Sequence, residues 1–508
     1  MAALAPLLLF ALAHARPAAA TATDPAGIQA QIPALERYIE DFMAEAGIPG
    51  IAIGIVAGDR LVHARGFGTR KAGTDAPVDA DTLFQIGSIT KSFAAASEAV
   101  LVDRGVLAWD DRVIDHLPDF RMYDPWVTRE FQVVDLLAQR SGMTPYILGE
   151  MSVLGFSRAE MIDAIRHIEP IASFRSTFGY QNVLHLVTER LVAKLGGTDT
   201  WEAFLHQALL EPAGMTHTSN TAAAIAGSDN HASGHARTGG AVHPIPFQAG
   251  FYEMGAAGNI NSSITDMARW LRLQINRGEL DGRRIVGEEA LTHTWRPQVS
   301  VTETESYANG LVARADAAGR LIWHNGGTTG FASYLGFDPD RKLGIVVLTN
   351  LGLPSAGDAI GNRFLEMARG LPQIDHGAKL LANLREQDEA LQQAMAGPDG
   401  PRLEPRAAAI YAGTYDNPWL GRVLVEPLPS GDLRLTVGPK AMPLRLSPWN
   451  GDTFALHFPN AADLGMEDPM GFVQFQPDLA GGIGGFVLEP DITATAVTDG
   501  PRFTRLEE

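Results

Sequence analysis

Cysteine is absent from all 508 residues, which excludes disulfides, zinc-thiolate sites, a thiol nucleophile and a lipid attached through an N-terminal cysteine. Basic residues are in short supply: 40 Lys and Arg face 59 Asp and Glu, for a formal net charge of -19. Such a chain repels phosphate backbones on average, so nucleic acid is not expected as a partner. Long apolar runs are missing beyond the N-terminus, where none approaches the ~20 apolar residues that a bilayer-spanning helix needs. Neither an internal repeat nor a low-complexity tract is found. Metal-ligand spacing is lacking as well. His217, His231, His235 and His243 fall in one loop-rich region, yet their intervals match no ligand pattern and no carboxylate pair completes a set. No metal and no other cofactor is expected.

What is present begins with MAALAPLLLFALAHARPAAA. Its apolar core from Leu4 to Leu12, followed by Ala18-Ala19-Ala20, reads as a signal peptide over residues 1–20, so the chain is expected to be exported and periplasmic or secreted. A hydrophobic content of 45% suffices for two or more packed units. Helical periodicity over residues 28–46 gives way to GIPGIAIGIVAGDRLVHARGFGTR. There Ile51, Ile53 and Ile55 alternate with small residues and Gly58-Asp59 supplies a turn, the pattern of a β-hairpin. Residues 110–300 are mostly helical, with amphipathic runs at 183–197 and 264–278 that each end in glycine. GRLIWHN, FASYLGFDP and KLGIVVLTN then predict an antiparallel meander. The expected class is α/β in the broad, α+β sense: one antiparallel sheet, shared by the N-terminal hairpin and the late strands, flanked by helices. This unit is assigned residues 25–372. A helical linker, 373–406, contains GPDGPRLEPR, and residues 407–508, with short strands between Gly, Pro, Asn and Asp, predict a small all-β barrel.

The chemistry centres on FQIGSITKSF, residues 84–93. Phe93, Ala96, Val100 and Leu101 share one helical face and Gly105 stops the run, so a helix starts near Ser88. Ser88 and Lys91 then project from the same face one turn apart, with Ser88 at the helix end where amides are unpaired and the dipole is positive. A serine hydroxyl becomes a nucleophile once a base takes its proton, and a lysine whose pKa is lowered by burial can be that base. Taken alone, the same spacing also fits a helix cap beside a solvated lysine.

With its flanks, GSITKSF resembles the Ser-x-x-Lys motif of the serine β-lactamase and penicillin-binding-protein superfamily, and most of all the branch of class C β-lactamases, D-aminopeptidases and family VIII esterases, which is peptidase S12-like. The branch's second motif, Tyr-x-Asn, is matched by FGYQN with Tyr180 and Asn182. Its third, Lys-Thr-Gly, is matched by WHNGGTTGF with His324, Asn325 and Gly326. LLAQRSGM, LLEPAGMTHT and AAGNINSSITDMARW match framework segments, so the resemblance covers about residues 30–370. It implies a β-lactamase-like domain in which Ser88 is acylated, Lys91 and Tyr180 move its proton, and Asn182 orients Lys91 and the substrate amide. The amides of Ser88 and Gly327 would hold the oxyanion. A phenol beside the Lys91 cation is expected to have a lowered pKa, and His324 is expected to bond to Tyr180 or to substrate.

Histidine in place of the motif's lysine removes a fixed cation that would hold a substrate carboxylate. The resemblance therefore implies a serine hydrolase of peptide or amide bonds. A carboxylesterase or weak β-lactamase is the first alternative, and a penicillin-binding-type sensor acylated without turnover the second. Expected partners are a small peptide, amide or ester substrate, with a homo-oligomer left open. The C-terminal strands resemble the lipocalin-like barrels appended to some members of the family.

Overall fold

The computed structural model describes residues 24–395, 401–464, 468–489 and 500–506; the candidate export signal lies outside them. The strand Gly50–Ala57 is buried at every position, and its composition explains how. Ile51, Ile53 and Ile55 enter one apolar layer with the helices Pro25–Ala46 and Ala356–Arg369, while Ala52 and Val56 enter another. The small residues fall on the second side because the helix Ile264–Ile275 comes close: a Cβ at Gly54 would lie 2.8 Å from Ile264 Cγ2.

This strand is the second of an eight-stranded antiparallel sheet. The order is Arg60–Gly68, Gly50–Ala57, Leu343–Thr349, Phe331–Asp338, Gly319–Thr328, Val312–Asp316, Glu305–Tyr307 and Val299–Ser300. The hairpin and the late strands do share one sheet. The three strands between residues 299 and 316 extend it beyond the expected meander; they hold 2, 3 and 5 residues, too few for period-two alternation to stand out.

The helix that follows Ser88, Thr90–Asp103, departs from the one-faced helix expected: every residue from Thr90 to Leu101 is buried. A helix enclosed on all sides has no polar face to show. Its alanines admit close neighbours, and its small hydroxyls are used. Trp270 stacks on Phe93 with ring centroids 3.7 Å apart and donates to Ser92 Oγ at 3.1 Å, and Trp201 donates to Ser97 Oγ at 3.2 Å. Regular α-helix begins at Thr90; Ser88 sits in the preceding 3₁₀ turn, Gly87–Ile89.

The helix His376–Met395 packs back on the first layer, with Gly377 N donating to Tyr38 OH at 2.9 Å and Leu380, Leu381 and Leu384 against its apolar cluster. Eight strands between Gly413 and Arg505 then close an up-and-down barrel, the last pairing with the first through Tyr415–Arg505 and Asp416–Thr504. Its interior is filled. Tyr411, Tyr415, Phe454, Phe475, Phe486 and Phe503 form a continuous set of ring contacts, with centroids 4.5 to 5.5 Å apart along the chain of neighbours. The barrel touches the sheet-and-helix unit at two left-handed glycines. A Cβ at Gly155 would lie 2.7 Å from Lys440 Cδ, and one at Gly438 would lie 2.5 Å from Leu154 O. Gln248 Nε2 adds a hydrogen bond to Asp463 O at 3.0 Å.

Candidate active site

Three chain segments meet at Ser88. The turn that carries it lies against the strand Gly319–Thr328, and glycines make the approach possible. Gly87 has φ +51° and no room for a side chain, since a Cβ would stand 2.6 Å from Gly327 N; a Cβ at Gly326 would overlap Ile86 O. The amide of Gly327 is thus brought beside the Ser88 turn. That strand pairs with Val312–Asp316 only as far as Trp323, so its outer edge from His324 to Thr328 borders the cleft and leaves peptide groups for an extended ligand.

Lys91 is wholly buried, and its Nζ lies 2.9 Å from Ser88 Oγ, 2.8 Å from Asn182 Oδ1 and 2.7 Å from Ala257 O. Burial pushes its pKa well below the ordinary lysine value. A neutral amine has two protons and one lone pair. Asn182 Oδ1 and Ala257 O can only accept, so they take the two protons and the lone pair is left facing the Ser88 hydroxyl.

Tyr180 lines the same cleft as Ser88, and its ring lies 4.8 Å from Lys91 Nζ. Its pKa moves opposite to expectation. Desolvation raises it well above 10, and the neighbouring Tyr307 adds to the rise. Tyr180 is therefore a phenol, able to donate.

His324 is also placed differently. Its Nε2 lies 2.9 Å from the hydroxyl of Tyr307, not of Tyr180, and its Nδ1 faces Asn325 O. A carbonyl cannot donate, so Nδ1 carries the proton and Nε2 accepts from Tyr307. Burial, and then the nearby Lys91, lower the imidazole to about 3, which leaves it neutral. The Asn325 side chain turns away from the nucleophile and donates to Asp358 Oδ1 at 3.0 Å, on the helix Ala356–Arg369. Burial raises Asp358 to about 6. Ser88, Lys91, Tyr180, Asn182, His324, Gly326 and Gly327 are brought together; the Asn325 side chain is not.

The cleft encloses about 480 Å³ and is walled by Tyr146, Phe178, Tyr180, Tyr307, Trp323 and Phe331. Neither Lys nor Arg lines it among the described residues. Its one carboxylate, Glu305, is paired with Arg314 at 2.6 Å. A wider depression, ringed by Asp59, Arg277, Arg320 and Lys342, has no serine or histidine in its lining. The sequence reading missed Tyr307 and the Ala257 carbonyl. ESYANG carries no pattern for the first, whereas the second lies in AAGNINSS, which stood out only as framework. His235, from the discounted histidine group, is a framework residue: its Nδ1 faces Asn350 O at 2.7 Å and its Nε2 accepts from Ala72 N at 3.0 Å.

Among curated proteins, the chain is 25% identical over 420 residues to an unguisins hydrolase of Aspergillus violaceofuscus, a match covering 75% of this chain and 74% of that one. Protein flp of Staphylococcus aureus is 25% identical over 333 residues, 62% of each chain. Two solved structures share the fold. The octameric penicillin-binding protein homologue from Pyrococcus abyssi superposes over 93% of this chain and 100% of its own, with TM-score 0.61 and 23% identity. A class C β-lactamase from Rhodobacter sphaeroides covers 65% of this chain and 98% of its own, with TM-score 0.55 and 22% identity. The family model described as Beta-lactamase matches residues 35–368, so the chain belongs to the beta-lactamase family, whose members are generally serine hydrolases.

Proposed function

We propose that this chain is a serine hydrolase that cleaves peptide-like amide bonds, with esters as easier substrates, through an acyl-enzyme on Ser88. The carrying observation is the amine of Lys91, buried between two obligate acceptors with its lone pair left to Ser88. Lys91 takes the Ser88 proton as Oγ attacks the carbonyl carbon, and the oxyanion is held by the amides of Ser88 and Gly327. Tyr180 then donates its proton to the leaving nitrogen or oxygen and recovers one from the Lys91 ammonium by way of the emptied Ser88 side. Water attacks the ester in the reverse sense, giving its proton to the same pair, and Ser88 leaves with its hydroxyl restored.

A cleft without a lining cation, closed by a neutral His324, favours substrates that carry no carboxylate next to the reacting carbonyl. Peptide-like amides therefore rank above β-lactams. The hydrolase name of the Aspergillus relative supports bond cleavage rather than sensing. Export through the N-terminal apolar stretch, and assembly into a homo-oligomer as in the Pyrococcus homologue, belong to the same proposal.

The test compares turnover of a chromogenic ester, peptide anilides and nitrocefin by the wild type and Ser88→Ala, with an activated phosphonate to label Ser88. Ester and anilide turnover, slow nitrocefin turnover, and loss of all three in Ser88→Ala are expected. Retained hydrolysis in Ser88→Ala would overturn the mechanism, and labelling without turnover of any substrate would make the protein a sensor.

A further inference from the structure

The third partner of Lys91 is a backbone carbonyl, and backbone stays where its chain is held. Ala257 ends a run of 3₁₀ turns, Ala249–Ala257, that is broken at Gly255, whose φ of +48° and ψ of -134° reverse the chain just before the carbonyl is presented. A Cβ at Gly255 would overlap the Glu189 carboxylate, so glycine is required there twice over, by conformation and by contact.

Glu189 lies on the helix Val183–Gly196, two turns beyond Asn182, and is nearly buried. Its Oε2 accepts from Ala256 N at 3.1 Å, the residue next to the Lys91 acceptor, and its Oε1 pairs with Arg158 at 3.0 Å. Arg158 reaches the same segment a second time, donating to Tyr252 O at 2.9 Å, and also binds Glu202 at 2.9 Å. Glu202 in turn accepts from Asn259 Nδ2 at 3.2 Å. Residues 252–259 are thus gripped at three points by one arginine and two carboxylates, none of which touches Ser88 or lines the cleft.

We propose that Glu189 and Arg158 are positioning residues for catalysis: they fix the Ala257 carbonyl, and so the direction of the Lys91 lone pair. A carboxylate buried against a half-buried arginine is an expensive way merely to anchor a loop, since an apolar contact would hold it without desolvating charge. Directional bonds to Ala256 N and Tyr252 O set the rotation of the intervening peptides in a way that apolar packing does not. The inference rests on Lys91 acting as the base for Ser88.

The experiment uses the full chain. Glu189→Met removes both the acceptor for Ala256 N and the pair with Arg158; Glu189→Gln keeps one acceptor oxygen, for Ala256 N, and turns the other into an amide donor, so the Arg158 pair is lost with the charge. The kcat for a chromogenic ester is expected to fall by up to about 100-fold in Glu189→Met and less in Glu189→Gln, with KM within about twofold, as for a displaced catalytic group. Arg158→Met serves as a second route, with melting temperature measured for each variant to establish that it is folded. The decisive readout is a double-mutant cycle, with Ser88 labelling by a fluorophosphonate as the rate. In a Lys91→Ala background, Glu189→Met should have no further effect. An undiminished effect in that background, or a kcat equal to wild type in folded Glu189→Met and Arg158→Met, would overturn the clamp. Activity persisting in Ser88→Ala would instead remove the reaction on which it rests.

Discussion

The sheet-and-helix unit that holds Ser88 and the C-terminal barrel bury polar groups in opposite ways. In the barrel, the one buried polar residue among those described, Asn417, is satisfied on both sides of its amide: Nδ2 donates to Arg502 O, and Oδ1 accepts from Trp419 N and Leu420 N. Its interior is otherwise hydrocarbon and aromatic ring, and its two buried tyrosine hydroxyls are also satisfied, Tyr415 donating to Tyr411 O at 2.7 Å and Tyr411 to Asp452 Oδ1 at 2.6 Å. Around the helix Thr90–Asp103 the interior is ionisable. Lys91, Glu98 and His185 are all fully buried, and desolvation drives each toward its neutral form, raising Glu98 and lowering Lys91 and His185. Asn309 and Tyr334 have side-chain atoms buried without a hydrogen-bond partner, and no described barrel residue does. A fold can be made of well-packed rings alone; a lysine whose pKa is lowered by burial requires a polar group to be held out of water at some loss of stability.

The comparison breaks most sharply at Lys91. Lys91→Ala should lower ester hydrolysis by about 10³-fold or more with little change in folding, a loss typical of a removed base or nucleophile partner. Wild-type rates in that variant would transfer the base role to Tyr180. The mirror experiment is Phe475→Ala in the barrel. Removing this buried ring should cost about 3–5 kcal/mol of barrel stability, read as a lowered calorimetric transition, while Ser88 labelling below that transition stays unchanged. Loss of labelling in step with the barrel would show that the two units fold as one.

Acid sharpens the contrast next. His324 titrates at about 3 when folded and near 6.5 when unfolded, so the unfolded chain binds the extra proton and stability falls as pH drops below 6.5 toward 3. Between pH 6.5 and 4 this amounts to about 3 kcal/mol for one proton. Glu189 and Asp358, raised to about 7 and 6, act with the opposite sign over part of that range, because their folded forms take up protons first. The His324 share is therefore the difference between wild type and His324→Gln in urea unfolding at pH 7, 5.5 and 4. Parallel curves would mean that the imidazole takes up its proton at the same pH in the folded chain as in the unfolded one. The smallest effect is one of selectivity. His324→Lys puts a cation on the open strand edge and should raise nitrocefin turnover relative to ester turnover by about tenfold, or 1.4 kcal/mol; an unchanged ratio would detach substrate choice from this position.

Much of this was legible in the sequence because the residues involved answer to local rules. The hairpin Gly50–Gly68 announced itself by alternating isoleucines and a Gly-Asp turn, and the strands Gly319–Thr349 by short β-rich runs. Ser88, Lys91, Tyr180, Asn182 and the strand from His324 came from motifs whose spacing matched a family pattern. What escaped was tertiary in origin. Tyr307 reaches His324 only because a three-residue strand lies two places across the sheet, and no spacing rule links 307 to 324. The pKa of Tyr180 moves opposite to expectation because a neighbouring lysine is visible in the sequence, whereas the burial of the phenol is not. Asn325 sat in a motif, yet the two-residue period of a strand sends its side chain to the face opposite His324.

The order of strands also sets a clock. Gly50–Ala57 pairs with Leu343–Thr349, a partner about 300 residues further along the chain. During synthesis the hairpin and the nucleophile at residue 88 emerge early, and the turn that carries Ser88 has no strand to lean on until Gly326 and Gly327 follow. A nascent chain therefore holds Ser88 and Lys91 in sequence without an assembled oxyanion site. Hydrolysis should switch on only once roughly the first 350 residues are free to close the sheet.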